Sequence, residues 1–268
     1  MSGLVVPMID RVSPSRRPPG RIAGYQKWRS LLFMHWPAPV DILRRLVPAE
    51  LELDLYEDEA YLGVVPFEME GVRPWWWPEA CSLRFLETNL RTYVVCNGRP
   101  GIYFFSLEAN SRLAVCGARA GWRLPYYYAA AKTTRTDDVI KYETRRPGNR
   151  PGHSVRYRIG NELGPSELGT VQHFFLERYL LFVERAGTVY SGQVHHAPYP
   201  AFDATILDVR DGLIAAAGFP PAVNPPKFAH YSPGVDVEVF PLATARVIEN
   251  SGKTNRWADS DSRSRPDL

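Results

Sequence analysis

The sequence predicts a single soluble domain of the all-β or α+β class, built mainly from hairpin strands with a few short helices. Its 268 residues suffice for one large hydrophobic core, and 45% of them are hydrophobic while 23% are charged. Alternating apolar segments are separated by turn residues, of which Asn97-Gly98 is the strongest pair because both tolerate a positive φ. Residues 85–95 and 102–107 are therefore predicted to pair as a hairpin.

Local patterns predict the other elements in chain order. A bulky apolar run over residues 30–36 suits a buried strand. Alternating apolar residues predict further hairpins, made by residues 51–55 with 60–70, by residues 141–158 and by residues 180–196. Helices are predicted at residues 41–46, at residues 167–179 with Ser166 as the cap, and at residues 214–217.

Residues 106–132 carry the pattern that suggests where a site lies. Asn110 or Ser111 can cap a helix, because a short polar side chain accepts a bond from an otherwise unpaired N–H, and small apolar residues follow as far as Gly121. Pro125 then turns the chain, and three consecutive tyrosines occupy positions 126–128. Three neighbouring side chains cannot share one face. At least one phenol is therefore expected to point inward and to need a hydrogen-bond partner.

Three regions are expected: a flexible N-terminal arm at residues 1–24, the folded domain at 25–249 and a disordered tail at 250–268. The arm lacks the continuous apolar segment of a secretory signal, and no apolar run approaches the ~20 residues of a membrane span. The polar tail cannot bury enough surface to order itself. A cytoplasmic location is expected. The three cysteines lack CxxC spacing and are expected to be buried free thiols.

The charge pattern bears on possible partners. A net charge of +3 is mild, and the positive charges of residues 141–158 fit an exposed hairpin, with a nucleic-acid surface as the alternative. Neither a nucleic-acid nor a membrane partner is expected. Trp75, Trp76 and Trp77 are adjacent and are predicted to form a loop folded over the core or a contact in a homo-oligomer. A sugar or membrane contact is the alternative for this loop.

Seven phrases of the sequence are specific enough to compare with known families: LLFMHWPAPVDILRRLVPAELELD, AYLGVVPFEMEGVRP, ETNLRTYV, GIYFFSLEANSRLAVCGAR, LPYYYA, FLERYLLF and VHHAPYP. Together they resemble the YqjF-like family of uncharacterised proteins, which belongs to the acetoacetate decarboxylase-like superfamily. The resemblance implies an α+β fold, mainly antiparallel β, that closes into a cone-shaped β-barrel with a few flanking helices and a ligand pocket inside. It implies no particular activity, because the nearer family has none assigned.

The resemblance to acetoacetate decarboxylase can be followed residue by residue at the nucleophile. In that enzyme a Schiff-base lysine and a second lysine directly follow a Tyr-Pro pair. Here Leu124-Pro125 is followed by Tyr126 and Tyr127, which implies that both lysines are absent and that no imine forms. Lys132 lies further along the chain, among polar neighbours typical of a surface residue.

The same resemblance implies a substrate-binding arginine at Arg29 and a catalytic-site glutamate at Glu87, whereas a second glutamate is lost near Gly63. Arg29 can hold a carboxylate with its two-pronged fork, and Glu87 can orient or move a proton. Alternatively, Arg29 and Glu87 pair with each other or with the backbone.

Other kinds of site have little support. His195 and His196 are neighbours on a predicted strand and face opposite sides, so they cannot both bind one metal, and no further ligand stands at a supporting spacing. The sequence contains no GxSxG elbow, Walker loop or GxGxxG. No metal or cofactor is therefore expected.

We therefore expect a central pocket for a small organic acid or carbonyl compound, lined by Arg29, Glu87, Tyr126 and Tyr127. As an enzyme, the protein would use Glu87 and the two tyrosines in lyase- or hydrolase-like acid/base or electrostatic chemistry without an imine. Two alternatives stay open. One is a non-catalytic protein that binds a small ligand, and the other is a structural or partner-binding protein that uses the tryptophan loop.

Overall fold

The computed structural model describes residues 8–122, 124–148 and 150–245. These residues form the strands β1 (Gly24–Ala38), β2 (Glu52–Leu53), β3 (Ala60–Pro74), β4 (Leu83–Cys96), β5 (Arg99–Ala109), β6 (Tyr126–Tyr128), β7 (Ala130–Thr136), β8 (Val139–Arg145), β9 (Gly152–Gly164), β10 (Leu180–Arg185), β11 (Thr188–His195), β12 (Ala201–Asp211), β13 (Phe228–Val239) and β14 (Ala243–Thr244). The helices are α1 (Val40–Leu46), α2 (Arg112–Trp122), α3 (Val171–Leu176) and α4 (Leu213–Ala216). Within the described residues, no helix has the length and apolar content that crossing a membrane requires.

Seven strands close into a ring. In order of hydrogen-bonded neighbours they are β1, β3, β4, β5, β10, β11 and β13, and β13 pairs with both β11 and β1. Every pair in the ring is antiparallel except β5 with β10. The predicted α+β, mainly antiparallel fold is confirmed, and the ring of strands fits the predicted cone-shaped barrel.

A second layer branches from the ring at β13. Strands β12, β9, β8 and β7 continue the sheet from β13 in that order, and a second core lies between this branch and the outer face of the ring. Leu31 and Phe33 of β1 belong to the core inside the ring, whereas Leu32 and Met34 belong to the second core. Strand β1 is therefore buried on both faces, which explains why residues 30–36 form an unbroken apolar run.

The predicted hairpin of residues 51–55 with 60–70 is wrong. Strand β2 pairs with β4, through Glu52 with Val95 and Leu53 with Val94. The turn between β2 and β3 is closed only by a bridge between Tyr56 and Glu59. The alternating pattern identified β2 and β3 as strands, but alternation within a strand does not determine which strand it pairs with.

Helix α3 is shorter than the predicted helix at residues 167–179. Gly169 has a positive φ of 92°, which interrupts a helix, so the helix begins only after Thr170. The Thr170 side chain, and not that of Ser166, accepts the capping bond, from the backbone N–H of His173 at 3.3 Å. Leu168 lies outside the helix and is exposed.

Residues 8–24 contact the ring at several points. Pro14 is buried, and the side-chain amide of Gln193 donates to the carbonyl oxygen of Pro14 at 2.9 Å. Ala23 donates its backbone N–H to the carbonyl oxygen of Val239 at 2.7 Å. The tail expected at residues 250–268 lies outside the described residues, and the domain limits of 25–249 stay a prediction.

The cysteines are free thiols, as expected, but only Cys96 is buried. Cys81 and Cys116 are exposed, which corrects the prediction for those two residues. Cys116 is exposed because α2 buries only Val115 fully and turns its other faces to solvent or to a cavity.

Candidate functional site

A cavity of about 500 Å³ lies inside the ring of strands. Its wall is mostly apolar, with aromatic and aliphatic side chains from β1, β3, β4, β5, β10, β11 and β13, including Trp28, Phe67, Met69, Phe85, Phe104 and Val239. A concave site of this size, apolar but with a few polar groups, is the usual form of a small-molecule site.

Three polar groups of the wall stand in a row on β4. Glu87, Asn89 and Arg91 all line the cavity. They are spaced by two residues, so strand alternation turns all three to the same face of β4, while the intervening Thr88 and Leu90 face away. The ring therefore places a carboxyl, an amide and a guanidinium along one wall of an apolar cavity.

The Glu87 carboxyl is buried and accepts a hydrogen bond from the Tyr126 hydroxyl at 2.7 Å. Burial in the apolar wall raises the pKa of Glu87 to about 8, against the weaker opposite effect of the hydrogen bond from Tyr126. At neutral pH this carboxyl therefore carries a proton for most of the time. A protonated carboxyl can donate a hydrogen bond or a proton to a ligand oxygen.

Two polar atoms of the row lack a hydrogen-bond partner among the described residues: Asn89 Oδ1 and Arg91 Nε. The Arg91 guanidinium donates through Nη2 to the carbonyl oxygen of Phe175 at 3.3 Å and packs over the rings of Phe33 and Tyr93. Within the described chain, Arg91 has no carboxylate at ion-pair distance. An unpaired buried cation and an unpaired buried acceptor therefore meet at the cavity wall.

Gly63 makes room for Arg91. The two residues are register partners in the β3–β4 pair. A Cβ on residue 63 would lie 3.3 Å from Arg91 Cγ and 3.1 Å from the Tyr93 hydroxyl oxygen, which is tighter than ordinary contact. Gly63, where the resemblance implies a lost glutamate, thus lies next to Arg91, which was not among the predicted site residues. The alternation in ETNLRTYV was the available signal, since it places Arg91 on the same face as Glu87.

Arg178 also reaches the cavity, but it is paired. Its Nη1 contacts Asp54 Oδ2 at 2.5 Å, and Asp54 in turn receives two bonds from Arg11 at 2.6 and 2.8 Å. Burial alone would raise the pKa of Asp54, but the hydrogen bonds and charges of the two arginines outweigh it and lower that pKa. Arg178 therefore has its counterion within the fold.

Arg29 does not lie with Glu87. Its guanidinium is partly exposed on the outer side of the ring, where it pairs with Asp236 and donates to the carbonyl oxygen of Val235 at 2.9 Å. The cause is a β-bulge: Ser30 has a positive φ of 53°, and the β1–β3 register shifts after Arg29. Counting back from the inward Leu31 would have turned Arg29 inward, and the bulge reverses it. Arg29 therefore lies outside the expected pocket and does not pair with Glu87, whereas the other alternative, pairing with the backbone, holds for Arg29.

The two tyrosines of the expected site point in opposite directions. Tyr126 is buried in the cavity wall, whereas Tyr127 is exposed and packs its ring against the Arg146 guanidinium, 3.7 Å from ring centroid to Cζ. Adjacent residues on β6 must face opposite sides, so only Tyr126 can reach Glu87. The structure thus brings together Glu87 and Tyr126 and leaves Arg29 and Tyr127 outside the cavity.

His195 and His196 do not form a metal site. His196 is buried and stacks on Tyr179, with ring centroids 4.5 Å apart, and burial lowers the pKa of His196 to about 4. His195 contacts the carbonyl oxygen of Ser15 through Nδ1 at 3.2 Å. The described residues contain no group of three or more His, Cys, Asp or Glu side chains that could hold a metal ion.

The mouth of the cavity lies between α2 and the tryptophan loop. Ser111 caps α2 by accepting a bond from the backbone N–H of Ala114 at 3.3 Å, as predicted for Asn110 or Ser111. Leu113 and Trp122 of α2 line the cavity together with Trp77. Trp75 and Trp76 are instead exposed.

Comparison with known proteins identifies the family. The model of DUF2071, described as an uncharacterized conserved protein, matches residues 25–236. The chain belongs to the DUF2071 family. Over 219 residues it is 37% identical to the uncharacterized protein YqjF of Bacillus subtilis (strain 168), which covers 81% of this chain and 90% of YqjF. The predicted YqjF-like resemblance is therefore confirmed.

Solved structures share the fold at low sequence identity. The enduracididine biosynthesis enzyme MppR complexed with pyruvate matches with a TM-score of 0.62 at 11% identity, covering 88% of this chain and 94% of MppR. Acetoacetate decarboxylase from Legionella pneumophila matches with a TM-score of 0.58 at 12% identity, covering 91% of this chain and 98% of that enzyme. This DUF2071 member thus has the acetoacetate decarboxylase-like fold.

Proposed function

We propose that this DUF2071 protein binds a small organic acid or carbonyl compound in the cavity, with Arg91 holding the ligand carboxylate. The observation that carries the proposal is the Arg91 guanidinium, which is buried without a carboxylate partner among the described residues. Burying an unpaired charge is costly, and a ligand carboxylate would supply the missing counterion through a charge-assisted, two-pronged contact.

Glu87 and Tyr126 would act on the other polar group of the ligand. Because the pKa of Glu87 is raised to about 8, its carboxyl can donate to a carbonyl oxygen at neutral pH, while the Tyr126 hydroxyl holds it in place. The chemistry open to this pair is acid/base or electrostatic. Lysine side chains do not line the described part of the cavity, so the proposal uses no imine.

The names of the structural neighbours support the class of ligand. One neighbour is an acetoacetate decarboxylase, and another holds pyruvate. Both names refer to short oxo acids, which carry the carboxylate and the carbonyl that Arg91 and Glu87 would recognise.

Binding without catalysis is the second candidate function. The glycine at position 63, where the resemblance implies a second glutamate, favours this candidate. Glu87 is the single carboxyl in the described lining of the cavity. One acid group can bind a carbonyl or transfer one proton, but a reaction that needs a separate acid and base would have to use Tyr126, whose pKa burial raises well above its usual range.

Calorimetric titration of acetoacetate and pyruvate into the wild type, Arg91→Met and Arg29→Met tests the proposal. Loss of the contact in Arg91→Met should weaken binding about ten- to a hundredfold, as expected for a bond of ~1.5–3 kcal/mol to a charged group. Arg29→Met is the matched control, because Arg29 pairs with Asp236 outside the cavity, and its affinity should equal that of the wild type. Equal affinity in the wild type and Arg91→Met would refute the assignment of Arg91.

Borohydride trapping tests the absence of an imine. Acetoacetate with borohydride should leave the protein unlabelled by mass spectrometry, since Lys132 is exposed on β7 and lines no part of the cavity. A stable reduced adduct on Lys132 would contradict the proposed chemistry.

A further inference from the structure

We propose that the preferred ligand is an elongated monocarboxylic acid with an apolar tail, whose carboxylate contacts Arg91 and whose tail extends to the mouth of the cavity. The inference rests on the proposed function, and it adds the substrate class. Short oxo acids and long-tailed acids share the carboxylate but differ in how much of the cavity they fill. The size, polarity and shape of the cavity each favour the longer acid.

The volume of the cavity is larger than that of a short acid. About 500 Å³ is available, which is the space of roughly sixteen water molecules at ~30 Å³ each. Pyruvate has only about six non-hydrogen atoms, each on the order of a water molecule in size, and would leave more than half of this space to water. Water held against aromatic and aliphatic walls gains few hydrogen bonds, so a ligand that displaces it binds more tightly.

Three polar side chains of the wall lie together on β4, whereas the other lining arginines, Arg73 and Arg178, pair with Glu79 and Asp54. Arg91, Asn89 and Glu87 follow one another along β4, and Phe85 and Leu83 continue the same inward face. A strand rises about 3.3 Å per residue, so the lining follows β4 for about 26 Å from residue 91 to residue 83. Along β4, a ligand held at Arg91 therefore passes a polar segment first and an apolar segment beyond it.

The apolar segment ends at an open mouth. Trp77, Leu113 and Trp122 line the cavity there, and Leu113 is 60% exposed, so this end meets solvent. Gly117 of α2 also lines the cavity, and a Cβ added to it would meet no atom within 4 Å. The space next to Gly117 is therefore free for the end of an apolar tail.

The affinities of a homologous series of straight-chain acids test the inference directly. Butyrate, octanoate and hexadecanoate should bind the wild type with affinities that rise with chain length, by about fourfold for each methylene that the cavity buries, since each buried methylene contributes ~0.8 kcal/mol. Hexadecanol is the control for the carboxylate and should bind at least tenfold more weakly than hexadecanoate. Calorimetry or competition against a fluorescent acid gives the affinities.

Gly117→Phe should close the far end of the cavity and leave Arg91 and Glu87 unchanged. Hexadecanoate affinity should fall at least tenfold, whereas butyrate affinity should stay within twofold of the wild type. Gly121→Phe is the matched control: Gly121 lies in the same helix, also has no atom within 4 Å of an added Cβ, and does not line the cavity. Both changes replace a helical glycine by a better helix former, so the fold should survive.

The outcomes separate this inference from the proposed function. If short acids bind through Arg91 but affinity does not rise with chain length, the elongated ligand is refuted and the proposed function stands. If no acid of either length binds, the proposed function fails and the inference fails with it. Equal loss of hexadecanoate binding in Gly117→Phe and Gly121→Phe would refute the path of the tail.

Discussion

Arg178 and Arg91 are both buried arginines that line the same cavity, yet their surroundings differ. Arg178 contacts Asp54 at 2.5 Å, and Arg11 completes a cluster of two cations around one carboxylate. Arg91 contacts a backbone carbonyl and two aromatic rings, and no carboxylate of the described chain pairs with it. A buried cation with a counterion contributes to holding the fold, whereas one without a counterion costs stability and is available to a ligand.

The same contrast holds for two buried carboxyls. Glu108 pairs with Arg146, which offsets only part of the rise in pKa that burial causes in Glu108. The Glu87 carboxyl accepts hydrogen bonds from Tyr126 and Asn89, and no cation among the described residues pairs with it. Burial is therefore shared by both arginines and by both carboxyls. The difference is whether the fold supplies an opposite charge. It does so for Arg178 and Glu108 but not for Arg91 and Glu87, which both belong to the row on β4.

The largest expected effect is that of breaking the paired cluster. Asp54→Ala leaves Arg178 buried without its counterion and should lower the free energy of unfolding by about 3–5 kcal/mol, measured by urea denaturation. Asp236→Ala is the control, because its ion pair with Arg29 is exposed and its loss should change the value by less than about 1 kcal/mol.

Arg91→Met should behave in the opposite way to Asp54→Ala. It removes an unpaired buried charge and replaces it with an apolar side chain, so the free energy of unfolding without ligand should stay within about 1 kcal/mol of the wild type or rise. If Arg91→Met lowered the free energy of unfolding as much as Asp54→Ala, Arg91 would stabilise the fold as Arg178 does, and the difference between the two arginines would be refuted.

The pH dependence of stability should reveal the unpaired carboxyl. The pKa of Glu87 is about 8 in the folded state and near its ordinary value of 4.5 in the unfolded state. Between these values the unfolded chain releases a proton that the folded protein retains. The free energy of unfolding therefore falls as the pH rises from 4.5 to 8, by up to about 1.4 kcal/mol per pH unit from this group.

Glu87→Gln should remove that part of the slope. Urea denaturation at pH 5, 6, 7 and 8 compares the two proteins, and the wild type should lose more stability across the series. Parallel pH curves for wild type and Glu87→Gln would place the pKa of Glu87 near its ordinary value and contradict its role as a proton donor at neutral pH.

The smallest expected effect separates the neighbouring tyrosines. Tyr126→Phe removes the hydrogen bond to Glu87, costs about 0.5–1.5 kcal/mol of stability and raises the pKa of Glu87 further, because that bond lowers it. Tyr127→Phe should change stability by less than about 0.5 kcal/mol, since its side chain is exposed on the outer face. Differential scanning calorimetry at pH 7 compares the two, and equal losses would contradict the placement of Tyr126 alone in the wall.

The residues predicted from sequence show where local reasoning succeeds. Glu87, which the resemblance selected, and Tyr126, which the row of three tyrosines selected, both line the cavity. Arg29 was misplaced since a bulge at Ser30 changes the alternation, and a bulge leaves no clear signal in the residues around it. Arg91 was overlooked, although its spacing from Glu87 by four residues already placed both on one face of β4.

The sequence by itself determined the strand-rich α+β class, the hairpin at Asn97-Gly98 and the inward face of β4, because turn conformation and side-chain alternation are local properties of the chain. Only the tertiary structure decided which strands are neighbours, because pairing depends on how remote segments pack into the same core. Strand β2, for example, pairs with β4 and not with β3. It also decided which buried charge has a counterion. Asp54 lies 124 residues from Arg178, and no local pattern connects them. The ring of strands brings these two together, whereas Arg91 has no carboxylate partner among the described residues.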